Sequence, residues 1–532
     1  MASSSIDQDA FPPGTILLQD KQSGSSEIIL SPKPSDDPDD PLNWTPARKG
    51  VNFALTCSYV FWTFVLIDIN YLAYRAYIAE LGLTYRTFNL ASGCSLLGLA
   101  IGCLLFVPCV HKFGRRPIYL ASAIVQFCAA VWWANYHSAG ELMGVSLLAG
   151  LAGSISEAIV MITIVDLFFV HQHARFNGVF VFMQSLGTTG GPIVCGYIID
   201  GIGWRWMWWL VAIFLGINFF LVLFFFEESK YIPPSWGQSV STASDTPPLQ
   251  TESDSTKSAD ADADRDTKTP SSPTTTSIAN PLHSGPSRKS YRQRLAFVTK
   301  TPGSIFPHFY QPLIIFATFP AVTYAATAYG TILAFFSASS SAGSYFFIYP
   351  PYNFSPSAIG LFQLGSFIGS TIGMITMPWL IDWLIIKLAR RNGGMFEPEM
   401  RLWMSIPAAG INYGWHWAIL AFAMGLFGLG YLIAADVALT YLSDSYPEIL
   451  ADALIAVVFI RNGFAAIIRF SFTDWLEGMG IEHTFLLIGL IALVSVVVPI
   501  LLLVFGKRAR VRTAERYRFY AKRQVVQRGF KG

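Results

Sequence analysis

Residues 153–206 read GSISEAIVMITIVDLFFVHQHARFNGVFVFMQSLGTTGGPIVCGYIIDGIGWRW, and this stretch decides what kind of chain it is. Two apolar runs are joined by a short polar turn carrying His171, His173 and Arg175. A helix needs about 20 predominantly apolar residues to cross a bilayer, and each run is long enough. The first holds one carboxylate, Glu157, well inside its apolar part. Charge there is costly, so an intramembrane acid is a functional candidate by default. In the second run Gly187 and Gly191 stand four apart, on one helix face where a neighbouring backbone can approach closely. Pro192 then removes a backbone donor and predicts a kink. A buried acid in one span, beside a close-packed and bendable seam in the next, suits a moving carrier better than a fixed anchor.

Composition agrees with a membrane chain. Of 532 residues 53% are hydrophobic and only 13% charged, where a soluble chain carries about a quarter charged. Mean hydropathy is +0.45. The class is an all-α polytopic membrane protein, with the lipid bilayer as its first partner. Six cysteines (Cys57, Cys94, Cys103, Cys109, Cys128, Cys195) lie in or beside apolar runs without metal-type spacing, and read as small packing residues. The first 47 residues are polar and hold no signal-peptide core, so the first span is expected to direct insertion.

Residues 1–48 are rich in Ser, Pro and Asp and predict a disordered N-terminal segment. Arg48 and Lys49 abut the first span and predict that this segment is cytoplasmic. Apolar runs at roughly 51–72, 88–110, 117–137, 142–165, 177–199 and 206–226 predict six spans within a first bundle over 49–229. Residues 230–300, with TESDSTKSADADADRDTKTPSSPTTT at their centre, are too polar to bury a core and read as a cytoplasmic linker. A second bundle over 301–506 has clear runs at roughly 312–337, 357–386, 415–442, 453–473 and 484–505, and 507–532 is a basic cytoplasmic tail.

That makes eleven clear spans. Lys387, Arg390 and Arg391 predict the same side as the tail, so an even number of crossings must separate them. Between Arg401 and Trp415 only LWMSIPAAGINYG remains. A dozen helical residues rise about 18 Å against a hydrocarbon core of about 30 Å. Either 402–413 crosses as a short or partly re-entrant ninth span, or part of a helix is missing from this sequence.

Eight local patterns occur in order: DPLNW at 40–44, KFGRRPIYL at 112–120, DLFFVH at 166–171, GTTGGPIVCG at 187–196, GWRW at 203–206, PPYNFSPSAIGL at 350–361, RRNGGMFEPEMRL at 390–402 and TYLSDSYP at 440–447. On these the chain resembles the major facilitator superfamily, and within it the fungal drug:proton antiporter-like branch of polyamine and multidrug type. The resemblance implies two pseudo-symmetric six-helix bundles that rock about a site near the midplane. It also implies proton coupling, no covalent chemistry and no cofactor.

The resemblance assigns Lys112, Gly114, Arg115 and Arg116 to a cytoplasmic latch. His111 stands where the family's latch has an acid, and Val107 where it has a glycine. Histidine titrates at about 6.5, so such a latch is pH-dependent; the residues also read as ordinary positive-inside anchors. The family's Arg and Gln early in span four are Ser146 and Ala149 here, which leaves Glu157 as the main proton candidate of the first half. Gly187, Gly191 and Pro192 form the helix seam associated with antiport.

Further intramembrane charges are Asp68, Asp436, Arg461 and Arg469. The two arginines, eight apart, fall near one helix face, with Arg469 the better ligand or counter-ion and Arg461, followed by Asn462, the more structural. Asp382, Asp444 and Asp452 lie near span ends and read as interface or latch residues. Trp204, Trp206, Trp208 and Trp209 are expected in the interfacial belt, and Tyr324, Tyr329 and Trp417 as cavity candidates.

The expected function is secondary active transport of a small organic molecule, an organic cation or drug-like compound, coupled to protons. The chain is expected to act as a monomer in the plasma membrane and to have no nucleic-acid partner. The alternative is a transport-inactive relative serving as a receptor or sensor. Without HExxH, GxSxG, a Walker-type loop or clustered His and Cys, the sequence predicts neither an enzyme nor a metal site.

Overall fold

A computed structural model describes residues 13, 16–17, 37, 39–231, 291–295, 297–299, 305–350, 352–392, 395–400 and 417–521. The segment 402–413, most of the N-terminal segment and most of the linker lie outside the described residues.

Asp40 accepts the Leu42 N–H at 2.9 Å and shapes the turn that leads into α1 (Pro46–Asp68), where proline at the first helical position needs no N–H partner. A 3-10 turn, Asn70–Ala73, links α1 to α2 (Tyr74–Leu81), which Gly82 ends with a φ of +62°. Thr84 caps α3 (Tyr85–Phe113), α4 is Arg116–Asn135, and Ser138 caps α5 (Ala139–Leu167). Next come α6 (Val170–Ser185), α7 (Gly191–Ile202) and α8 (Trp204–Phe225). The second half holds a short α9 (Tyr291–Arg294), then α10 (Pro307–Thr318), α11 (Pro320–Phe346), α12 (Pro356–Phe362) and α13 (Leu364–Arg391). It ends with α14 (Trp417–Ser445) and α15 (Leu450–Ala521), the last interrupted at Gly480, whose φ is +75°. Ile16–Leu17 pairs antiparallel with Met395–Phe396.

Among the described residues nine helical segments are long and apolar enough to span a bilayer, six of them within 46–225. Two further predicted runs fall on α14 and on the part of α15 beyond Gly480. The kink expected at Pro192 is drawn out into a π turn, Leu186–Gly190, between α6 and α7. The Gly191 N–H reaches back five residues to Leu186 O, a register shift that absorbs the donor missing at Pro192.

Glycine sets the closest helix crossings. A Cβ on Gly150 would fall 2.0 Å from Ser95 O, and one on Gly98 2.4 Å from Leu147 O, so α3 and α5 touch backbone to backbone. The second half repeats the device between α13 and α14, where a Cβ on Gly369 would lie 1.9 Å from Gly425 O. The halves themselves meet along α3 with α15 and along α7 with α12. We call the end carrying Arg115 and Arg116 the basic end, and the opposite one the far end.

One expectation needs correction. Trp206 and Trp209 are exposed, but Trp204 and Trp208 are buried, Trp208 stacking on Trp133 at 4.5 Å and donating to Tyr77 Oη at 3.0 Å. Residues four apart share a helix face, so a run of tryptophans splits between lipid and core.

Candidate functional site

A cavity of about 500 Å³ lies between the halves, walled by α1, α3, α5 and α6 on one side and by α11, α13, α14 and α15 on the other. Glu157 opens onto it from a part of α5 that is buried throughout, from Ala152 to Val160. It is not a solitary acid. The Arg461 guanidinium of α15 forms an ion pair with it across the halves, and Asn462 Nδ2 donates to Glu157 Oε2 at 2.6 Å. Arg461 also donates to Asn462 Oδ1 at 3.3 Å and lies over the Tyr329 ring, 4.6 Å from its centroid. Tyr329 Oη and Tyr431 Oη are 3.2 Å apart. Burial leaves these charges little water, so the pair and its hydrogen bonds must satisfy one another.

Asp68 of α1 and Asp436 of α14 line the cavity from opposite halves, Asp68 bonded to the Thr188 side chain within the seam. Arg469 also lines the cavity and donates to Asn89 Oδ1 at 3.0 Å, again across the halves. The two arginines therefore do share a face, and both reach into the opposite half. Tyr329 stands on the wall, whereas Tyr324 packs in the second half's core against Tyr441. The side chains of Trp417, Asp382, His171 and His173 lie outside the described residues.

Sequence reasoning named Glu157, Arg461 and Asn462 without pairing them, and did not single out Tyr431 or Asn89. An amide or phenol inside an apolar run is a weak signal; its meaning comes from the partner it meets.

In the seam, a Cβ on Gly187 would lie 2.7 Å from Phe61 O and one on Gly191 2.8 Å from Val65 Cγ2. The seam thus packs on α1 of its own half, while Pro192 presents its carbonyl to Gly360 of the other.

At the basic end Arg115 donates to Asp166 at 2.8 and 3.3 Å, and the Arg115 and Arg116 N–H groups donate to Glu228 at 3.0 and 3.1 Å. Gly114 makes room for that carboxylate: its φ is +108°, and a Cβ there would sit 2.5 Å from Glu228 Oε2. Arg116 bonds to Leu223 O and to Leu295 O at the far side of the linker. These contacts hold the first half and the linker end together, and His111 touches the second half. Its ring stacks on His308 of α10 at 5.5 Å, and His308 Nδ1 lies 3.7 Å from Asp452 Oδ1 of α15. Lys230 Nζ donates to His111 O, Lys112 O and Thr299 O. Burial, then repulsion from Arg115, lowers the Lys230 pKa to about 8.

A helical membrane chain whose two halves enclose a charged central cavity, with no covalent link across it among the described residues, has the architecture of a secondary carrier. The chain belongs to the major facilitator superfamily, whose family model matches residues 51–470. It is a transporter family, not an enzyme. An uncharacterized MFS-type transporter of Schizosaccharomyces pombe is 30% identical, covering 95% of this chain and 94% of that one. Protein HOL1 of Saccharomyces cerevisiae is 25% identical over 95% and 94%. The MFS-type transporter penM of Penicillium rubens is 26% identical over 89% and 88%. Among solved structures, the human organic anion transporter MFSD10 aligns with a TM-score of 0.53 at 14% identity, over 86% of this chain and all of that one. A POT family transporter aligns at 0.54 and 12%, over 89% and 99%. At these identities the solved structures establish the fold alone.

Proposed function

We propose that the chain is a proton-coupled carrier of organic cations or cationic drug-like molecules, within the fungal antiporter-like branch. Units 49–229 and 301–506 would rock about the cavity, with the basic end, the linker and both termini in the cytoplasm of the plasma membrane. The observation that carries this reading is the Glu157–Arg461–Asn462 bridge between the halves inside the cavity. A carboxylate that holds the opposite half through an ion pair releases it when it takes up a proton or a substrate cation. One group then links proton, substrate and the relative position of the halves. Asp68 and Asp436 supply further carboxylates to the same cavity, one from each half, and the fungal relatives support the branch.

The test is uptake of labelled cations and drugs into proteoliposomes under an imposed pH gradient. Wild type should show flux that reverses with the gradient, and Glu157→Gln should lose that dependence. Breaking one member of a buried pair costs about 3–5 kcal/mol, so the Glu157→Gln/Arg461→Gln double variant guards against simple unfolding. Binding without flux in wild type would refute the carrier reading in favour of a receptor.

A further inference from the structure

Arg469 differs from Arg461 in one respect that points to a ligand. It is 3% exposed on the cavity wall, yet among the described residues no carboxylate lies within ion-pair distance of it. Its Nη1 donates to Asn89 Oδ1 at 3.0 Å, Asn89 donates onward to Thr473 Oγ1 at 2.8 Å, and among the described residues the Arg469 Nε–H, like that of Arg461, has no hydrogen-bond partner. Asp68 acts on it only through space. A guanidinium carries five N–H donors, and buried charges are ordinarily paired and hydrogen-bonded. Arg461, eight residues earlier and about 12 Å lower along the helix, meets that rule with Glu157; Arg469 meets it with one neutral amide. The cavity therefore has a self-neutralised pole at Glu157–Arg461 and an unfinished positive pole at Arg469.

We propose that Arg469 is an anion-binding subsite, which takes a carboxylate of the transported molecule on the guanidinium fork while the molecule's cationic group lies toward the cavity acids. The planar donors of arginine match a carboxylate in two parallel hydrogen bonds, which a neutral amide cannot replace. The inference rests on the reading of the cavity as the substrate site, and it makes the substrate class amphoteric rather than purely cationic.

The experiment is equilibrium binding to the full chain in nanodiscs without a pH gradient, by calorimetry, with three probes: 4-(aminomethyl)benzoate, benzoate and uncharged benzamide. Wild type should bind the amphoteric probe best, benzoate more weakly and benzamide least. Arg469→Gln should weaken both carboxylates by about 10- to 100-fold, the range of a charge-assisted hydrogen bond. Asn89→Asp should weaken them similarly, because it places a carboxylate of the protein against Arg469, and it should keep the fold intact. Three results would overturn the subsite: no benzoate binding to wild type, benzamide binding as tight as benzoate, or unchanged benzoate binding in Asn89→Asp. The last decides the matter even if Arg469→Gln fails to fold, since a carboxylate placed against Arg469 must compete with any anion held there. Absence of proton-driven flux would refute the carrier reading and leave this readout standing. Normal cation flux with no carboxylate selectivity would refute the subsite alone.

Discussion

The crossing of α7 and α12 offers the sharpest test of how the halves move. A Cβ at Gly360 would fall 2.6 Å from Pro192 O, and one at Gly196 2.6 Å from Pro356 O. Ordinary contact begins at 3.4 Å, so Gly360→Ala is roughly 0.8 Å too close, and the opposed atom is backbone that no rotamer change can move. Overpacking of this kind costs about 1–3 kcal/mol. If the halves part here during the cycle, the cost falls on this conformation only and shifts its equilibrium by about 5- to 150-fold. Spin labels at positions 86 and 474 would read the shift. Arg86 and Asp474 are exposed and face each other across the halves at 3.5 Å, so the inter-label distance should lengthen in Gly360→Ala with little change in melting temperature. Gly201→Ala, also on α7, meets nothing within 4 Å and should behave as wild type. A melting temperature that falls by the full overpacking cost, with distances unchanged, would make the crossing static packing. Gly360→Ala indistinguishable from Gly201→Ala in both readouts would refute the steric argument itself.

Two further outcomes follow from the ends of the helices. Arg510 on α15 is 1% exposed and makes two bonds to Glu399, at 2.9 and 2.6 Å. Arg510→Ala strands that carboxylate and should destabilise the chain by about 3–5 kcal/mol in thermal unfolding, whereas the Arg510→Met/Glu399→Leu pair should recover most of it. Lys230 has a folded pKa lowered to about 8 from 10.5, chiefly by burial, so between those values the unfolded state binds the extra proton. Stability from this site should therefore rise with pH across that window and stay level below it. The melting temperature of wild type minus that of Lys230→Met, followed from pH 6 to 10.5, should rise above pH 8; a signed difference that stays level or falls there would refute the assignment.

How much of this was legible depends on the range of the interactions involved. The first six spans fall close to where apolar run length puts them. Gly98, Gly150 and Gly196 show close packing only once their neighbours are known. The tryptophan run at 204–209 was misassigned in part because the belt rule places a segment, not the face of each residue. His111 was noticed as a departure from the latch pattern, but its stacking on His308, which lies beside Asp452, joins parts of the chain some 200 and more residues away.

Local sequence is enough to establish a many-span helical membrane chain, the position of its clear spans and the presence of charges inside them. Those properties follow from helix rise, bilayer thickness and the cost of burying charge, all of which act within one segment. Tertiary structure alone decided which charges meet. Asn462 reaches Glu157 across 305 positions, and Arg469 reaches Asn89 across 380, leaving one arginine paired with a carboxylate and the other with an amide. Such pairings depend on how two halves dock, and no local periodicity encodes that.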